Sequence, residues 1–490
     1  MSRQEDRTDV VVVGGGNAGF SAAIAAAERG RRVVLLEKSP HSARGGNSYY
    51  TAGAFRITHD GLGSLGDLIE PDPRHAATDL PSYTASDFQL DMKRVTNGSN
   101  DQTLTDVLVD NSADTLRWLH GHGLRFRLMY ERQAYPDAAG RHRFWGGLAV
   151  GSVGGGVGLI EQHADAAARL GVEVRYEAAG ESLLVEDGAI VGVVYRDAAG
   201  KQAELRADSV ILSAGGFEAD ATMRRKYLGE GWERAKVRGN PLNTGDMLRA
   251  ALDAGAAPYG DWTTCHSVAW DANAPENGSR VLTNQLTRGG YFLGIVVNIN
   301  GERFIDEGSD YRNYTYAKYG AEILKQPEGR AFQIYDATTR PMLRSEEYDS
   351  DGASVHVADS LEELAASIGV NADAFLKTVQ TFNANIDAAR PFDASTKDGR
   401  SSAVEPPKSN WAVEIKEAPF YAFPVTCGIT FTFGGLRADD HGRVLKDDGS
   451  GIPGLYVCGE MLGGLFSGNY PGGSGLTSGA VFGRRAGSLA

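Results

Sequence analysis

The sequence predicts an α/β fold built on a parallel sheet, α+β overall because a second block interrupts that sheet. Three observations predict it. The stretch "DVVVVGGGNAGFSAAIAAAERGRRVVLLEKS" (Asp9 to Ser39) reads as strand, glycine turn, helix and second strand. An apolar strand followed by glycine returns in "ADSVILSAGGF" (Ala207 to Phe217) and in "GLYVCGE" (Gly454 to Glu460). Between these two lies a block of different texture, about 264–429, rich in aromatics and with a Pro-rich boundary at "EPPKSNW". The expected division is therefore 1–263 and 430–490 as the two parts of one domain, with 264–429 inserted as a second domain.

Val10 to Val13 is an unbroken β-branched run, as a parallel strand covered on both faces requires. Gly14, Gly16 and Gly19 fall at the G-x-G-x-x-G spacing. They serve a tight turn, a close approach to pyrophosphate and close helix–strand packing, a Rossmann-like arrangement. The helix from about Asn17 and Ala18 to Arg29 aims its free amides at the pyrophosphate. Val33 to Leu36 is the second strand, and Glu37 at its tip suits a ribose with free hydroxyls. The motif does not separate NAD from FAD. One ligand approached by three strand ends is an FAD-domain pattern, and on that ground FAD is expected. Residues 100–123 carry apolar positions at helical spacing and are expected to cover the sheet. "VEVRYEAAGESLLVEDGAIVGVVYRDAAGK" alternates strand-like pieces with turn signals, as a small antiparallel insert does.

At 490 residues the chain exceeds one ordinary core. Its formal net charge of −14 argues against nucleic acid or an anionic membrane as main partner. No apolar run reaches the length of a spanning helix and "MSRQEDRTD" has no apolar leader core, so a cytoplasmic protein is expected. Cys265, Cys427 and Cys458 are isolated, without disulfide or iron–sulfur spacing.

The order of motifs resembles the flavoprotein family of fumarate reductases, succinate dehydrogenases and ketosteroid dehydrogenases. The pieces are "GGGNAG", "LLEKSP…RGGNS", "VILSAGGF", "NTGDMLRAALDAGA", "NGERFIDE…YR" and "VCGEMLGGLFSGNYPGGSGLTSGAVFGRRAG". "TTCHSVAWDA", "RFIDEGSDYRNYTYAKYG" and "GITFTFGGL" look similar to the tricarballylate dehydrogenase branch. The resemblance implies a two-part FAD domain under a cap, with substrate between cap and flavin. It implies that Gly14, Gly16, Asn17, Ala18, Gly19, Glu37 and Lys38 hold the adenosine half. Arg44, Gly45, Gly46, Asn47 and Ser48 would line the pyrophosphate and the flavin's inner edge. Gly215 and Gly216 would pass near the cofactor, and Asp246 and Glu460 would meet ribityl or ribose hydroxyls. Ser474, Gly475 and Leu476 would begin a helix facing flavin N1 and O2, where reduced flavin is negative. His41 lacks the Ser-His-Thr context of covalent attachment, so non-covalent FAD and a surface His41 are expected.

The implied chemistry is formation of a C=C bond α,β to a carboxylate or ketone, by proton abstraction and hydride transfer to flavin N5. A tricarballylate-like or cyclic keto acid is the expected substrate, and oxygen, quinone or a redox protein the external electron acceptor. Arg312, after the R-F-x-x-E motif, is the implied proton-transfer residue, with Glu307 as a relay. The alternative is that Arg303 and Glu307 form an ion pair in the cap and Arg312 merely clamps a carboxylate. His266 would bind a substrate carboxylate or serve as a structural histidine. Two departures bear on substrate: Thr430, Phe431 and Thr432 stand where fumarate reductases carry a His pair, and Tyr470 where they carry an Arg. Tyr470 and the Ser474 amide are similar to the ketone-polarising site of ketosteroid dehydrogenases, or Tyr470 packs against the flavin. Tyr49 and Tyr50 follow "GGNS" where the tricarballylate branch has basic residues. They, with Arg56, Arg288 and Thr432, are further candidate substrate contacts. The reverse reaction, a fumarate-reductase-type or enone reductase, is the alternative. A non-catalytic electron carrier or redox sensor is the alternative of another class.

Overall fold

In a computed structural model, which describes residues 6–490, the apolar runs singled out above form the centre of a six-stranded sheet. Its order is Arg443–Leu445, Gly451–Val457, Ser209–Leu212, Val10–Val13, Val33–Leu36 and Glu173–Arg175. All neighbours are parallel except the Arg443–Leu445 edge. Val10–Val13 sits between Ser209–Leu212 and Val33–Leu36 and is wholly buried, which explains why no polar residue interrupts it. The helix Asn17–Ala27 follows directly. A side chain on Gly19 would overlap the Gly14 carbonyl oxygen, so helix and strand meet at backbone distance.

The helix Ser474–Leu489 lies across Asn17–Ala27. Gly483 and Gly487 face Ala18 and Ala22 there, with no room for a side chain between the two backbones. Residues 100–123 form one helix, Gln102–Gly121, whose start is capped by Asp101 accepting from the Leu104 amide at 2.9 Å. The expected antiparallel insert is a three-stranded sheet of Ala179–Glu186, Ala189–Arg196 and Gln202–Arg206.

A second sheet is organised around the long strand Phe420–Thr432. Lys236–Val237, Cys265–Asp271, Arg330–Tyr335 and His356–Ala358 all pair with it, and Ile295–Asn298 extends it through Arg330–Tyr335. This sheet thus takes its first strand from ahead of position 264 and its last residues from beyond 429. "EPPKSNW" does not bound it. Trp411 is fully buried, and Lys408 is buried with its ammonium donating to the Phe292 carbonyl at 2.7 Å, so the stretch belongs to the second core. That core stacks Trp145 on Tyr135 and Trp411, drawing residues from both sides of the expected boundary. No helix among the described residues is long and apolar enough to cross a membrane.

Candidate active site

One large cleft runs between the two sheets, with about 1910 Å³ of space free of protein atoms, its mouth included. Its far end is built by the first sheet. Gly14 takes a φ of +107°, and the chain turns there beneath Ser213. Gly14, Gly16, Asn17 and Ala18 line the cleft at the start of Asn17–Ala27. Glu37 lines it too, accepting from the amides of Gly15 and Ser39, both at 2.8 Å, which leaves lone pairs for a further donor. Lys38 and Asp246 pair at 2.7 Å on the same rim.

In the middle, Gly46, Asn47, Ser48 and Gly215 face Glu460, Gly475 and Leu476 across the cleft. Ser48 accepts from the Asn17 amide at 3.0 Å, and Asn17 donates to the Leu476 carbonyl at 2.8 Å, so three distant segments are tied together. Two helix starts, at Asn17 and Ser474, therefore open on one cavity. Glu460 accepts from the Thr432 amide at 2.7 Å, and the neighbouring Glu218 is fully buried, with one oxygen accepting from Asn47 and Asn243 and the other unpartnered among the described residues. Burial first, and Glu460 next, raise the Glu218 carboxyl well above its ordinary range. A glycine-floored cleft with helix starts at two points and the Glu460 carboxyl lining it fits an elongated dinucleotide with hydroxyl-bearing linkers.

The near end gathers Arg132, Arg238, His266, Arg312, Tyr316 and Tyr470. Arg312 donates to Glu347 at 3.0 Å and to the Arg132 carbonyl at 2.6 Å. Burial pushes the Glu347 carboxyl up, but Arg132, Arg312, Arg344 and Arg288 overturn this and hold it at about 2. The hydroxyls of Tyr316 and Tyr470 are hydrogen-bonded to each other. Burial raises both tyrosine pKa values, Tyr470 well above 10, so both hydroxyls remain protonated. The His266 ring lies 5.0 Å from both tyrosine rings and neither of its nitrogens has a hydrogen-bond partner among the described residues. Burial, then Arg238, drives its pKa well below 6.5, so it is neutral.

Several sequence candidates lie elsewhere. Glu307 is fully buried, pairs with Arg303 at 3.0 Å and accepts from the Val296 amide; it does not reach the cleft and cannot relay protons for Arg312. Arg288 is committed to Asp271 at 2.5 Å, and Arg56 donates to the Tyr83 hydroxyl and to the Gly146 and Gly472 carbonyls, both outside the cleft lining. Tyr49 and Tyr50 also stand outside it, with the Arg280 guanidinium over both rings. Arg44 donates to the His41 carbonyl, and exposed His41 packs on Tyr176, away from the cleft. Gly45, Gly19 and Gly216 support the lining from behind, with Gly216 pressed against Glu460 and Thr432. The Ser474 amide is taken by the Pro471 carbonyl at 3.1 Å, so it is not free to polarise a ketone. Thr432 lines the cleft but spends its hydroxyl on Glu460. Sequence reasoning missed Arg132, Arg238, Tyr316 and Glu347. Tyr316 stood inside a quoted motif, "YRNYTYAKYG", and Arg238 just ahead of "NTGD".

A model of the FAD binding domain matches residues 9–476. The chain belongs to this family. It is an FAD-dependent oxidoreductase, and the resemblance to fumarate reductases and ketosteroid dehydrogenases carries through to its relatives. It is 29% identical over 487 residues to a probable fumarate reductase of Shewanella frigidimarina, covering 99% of this chain and 75% of that protein. It is 28% identical over 565 residues to a 3-oxosteroid 1-dehydrogenase of Mycobacterium tuberculosis, covering 96% of each. Among solved structures, an open flavocytochrome c3 fumarate reductase is similar at a TM-score of 0.73 and 27% identity, over 99% of this chain and 78% of that one. In this family member the glycine-floored end, Glu37 and the two helix starts are the residues that would hold FAD.

Proposed function

We propose that the chain interconverts C–C and C=C bonds lying α,β to a carboxylate or ketone, and that the geometry favours the reductive direction. The observation supporting this is the near end of the cleft, where Arg312 and the Tyr316–Tyr470 hydroxyl pair line one cavity. An arginine stays a cation, and burial keeps both tyrosines protonated, so each group enters as a proton donor. Bound FAD supplies the two-electron chemistry. Arg312, fixed by Glu347 and the Arg132 carbonyl, offers its N–H groups to the carbon or oxygen that gains charge. His266, neutral and unpartnered, offers a ring nitrogen to a substrate oxygen. The rings of Tyr316, Phe431 and Tyr470 pack around His266 and give that point an aromatic wall.

Dehydrogenation, placed first by the sequence, needs one of these donors to become a base, which burial opposes. The test is anaerobic. Holoprotein reduced by a viologen dye should be reoxidised by a panel of enoates and enones faster than saturated counterparts bleach oxidised enzyme. Faster bleaching by the saturated compounds reverses the direction. No electron exchange with any acid or ketone leaves the electron-carrier reading.

A further inference from the structure

Three guanidinium groups border the near end of the cleft, and their charges are not matched alike. Arg132 pairs with Glu346 at 2.6 Å and with Glu347 at 2.8 Å, and Arg312 shares Glu347 at 3.0 Å. Among the described residues Arg238 has no carboxylate partner. Its Nε donates to Thr287 Oγ1 at 3.1 Å and its Nη1 to Thr430 Oγ1 at 2.9 Å, while Nη2 has no acceptor among those residues. The residue is only 7% exposed and lines the cleft. A buried guanidinium without a counter-ion is costly, and an arriving anion relieves that cost. The two threonines fix the plane of the fork, which spares a ligand the cost of ordering it.

Next to this charge stands His266, with both ring nitrogens buried and unpartnered. The remaining wall is aromatic: Phe431 meets Phe433 at 5.3 Å and Tyr470 at 5.1 Å, and Phe466 meets Tyr470 at 5.4 Å between ring centroids. A small dicarboxylate would satisfy Arg238 with one end. Its other end would face either phenyl rings or guanidinium groups already paired with Glu346 and Glu347.

We infer that Arg238 is the carboxylate anchor of the site, and that the substrate is a monocarboxylic acid whose body is a flat apolar ring. His266 takes the second carboxylate oxygen, and the ring lies against Phe431, Phe466 and Tyr470. This rests on the C=C reading above and narrows it to aryl- or cycloalkenyl-type unsaturated acids.

The test is calorimetric binding to oxidised holoprotein, which needs no turnover. The probes are trans-cinnamate, 1-naphthoate, the uncharged cinnamide and fumarate. Wild-type protein binds at least one ring acid roughly tenfold or more tighter than cinnamide and fumarate. Arg238→Gln weakens that ring acid by roughly thirtyfold or more and leaves cinnamide unchanged, while Arg238→Lys restores part of the loss. FAD content and thermal midpoint show that each variant is folded and loaded. The inference is overturned if fumarate binds tightest, if no ring acid binds, or if Arg238→Gln binds cinnamate and naphthoate as wild type does. It is equally overturned if Arg238→Gln loses FAD while the reloaded protein keeps its ring-acid affinity, because the guanidinium then serves the cofactor. Ring acids that bind through Arg238 but never exchange electrons with the flavin would leave the anchor standing and remove the C=C reading instead.

Discussion

Glu347 is the only carboxylate among the described residues that Arg312 touches, and replacing it with Gln keeps the shape while removing the charge. The side chain is fully buried and accepts from Arg132 at 2.8 Å, Arg312 at 3.0 Å and the Gly289 amide at 3.3 Å. Its pKa falls from the ordinary 4.5 to about 2, which corresponds to about 3 kcal/mol of folding stability at neutral pH. Loss of one partner from a buried pair costs about 3–5 kcal/mol on independent grounds, so the two routes agree. Because the folded value is depressed, this stability is whole above pH 4.5 and disappears as pH falls through about 2. Urea unfolding of FAD-loaded wild type and Glu347→Gln, followed by tryptophan fluorescence, should therefore differ by about 3 kcal/mol at neutral pH. The gap should close progressively below pH 4.5. A gap under about 1 kcal/mol at neutral pH, or one that stays constant into acid, refutes the ion-pair account.

Arg312→Ala should lower turnover between about a hundredfold and ten-thousandfold with FAD still bound; near wild-type rates in stopped-flow reoxidation would remove Arg312 from proton transfer. Glu307→Gln should lower the thermal midpoint but leave the pH profile of turnover unmoved, since Glu307 serves Arg303 and not the cleft. Gly19→Ala should yield protein with little FAD by absorbance at the flavin band, because the new methyl group meets the Gly14 carbonyl. His266 binds its proton more weakly folded than unfolded, so its contribution to stability is whole above pH 6.5 and lost as pH falls below it; turnover should show no inflection at 6.5 from this residue, and His266→Asn should lessen the acid-side decline in midpoint.

The central strands were legible because both faces of the sheet are covered, which forces unbroken apolar runs at Val10–Val13 and at 210–212. The glycine turn was legible because its spacing answers to backbone geometry alone. The second sheet's limits were not. Lys236–Val237 is two residues long and carries no period, and it joins the sheet only through Gly428 and Ile429. The prolines of "EPPKSNW" signalled a loop, which is local, whereas the burial of Lys408 and Trp411 is tertiary. At the site, Arg312 was found by motif, but its partner is 35 residues away on the short helix Ser345–Tyr348 and has no spacing to betray it. Glu307, at motif spacing, was the natural but mistaken relay. Arg238 lay unseen because what marks it is the absence of an anion, which only the folded chain reveals.

The glycine-lined crossing of Ser474–Leu489 over Asn17–Ala27 sets an order of events during synthesis. The amide of Asn17 that closes on Leu476 waits for a segment 459 residues later. Until Gly483 and Gly487 have left the ribosome, the alanine face at Ala18 and Ala22 stays bare and the dinucleotide bed lacks one wall. Loading with flavin thus reports that translation has run past Gly487, and polypeptides aborted earlier should emerge colourless and open to proteolysis.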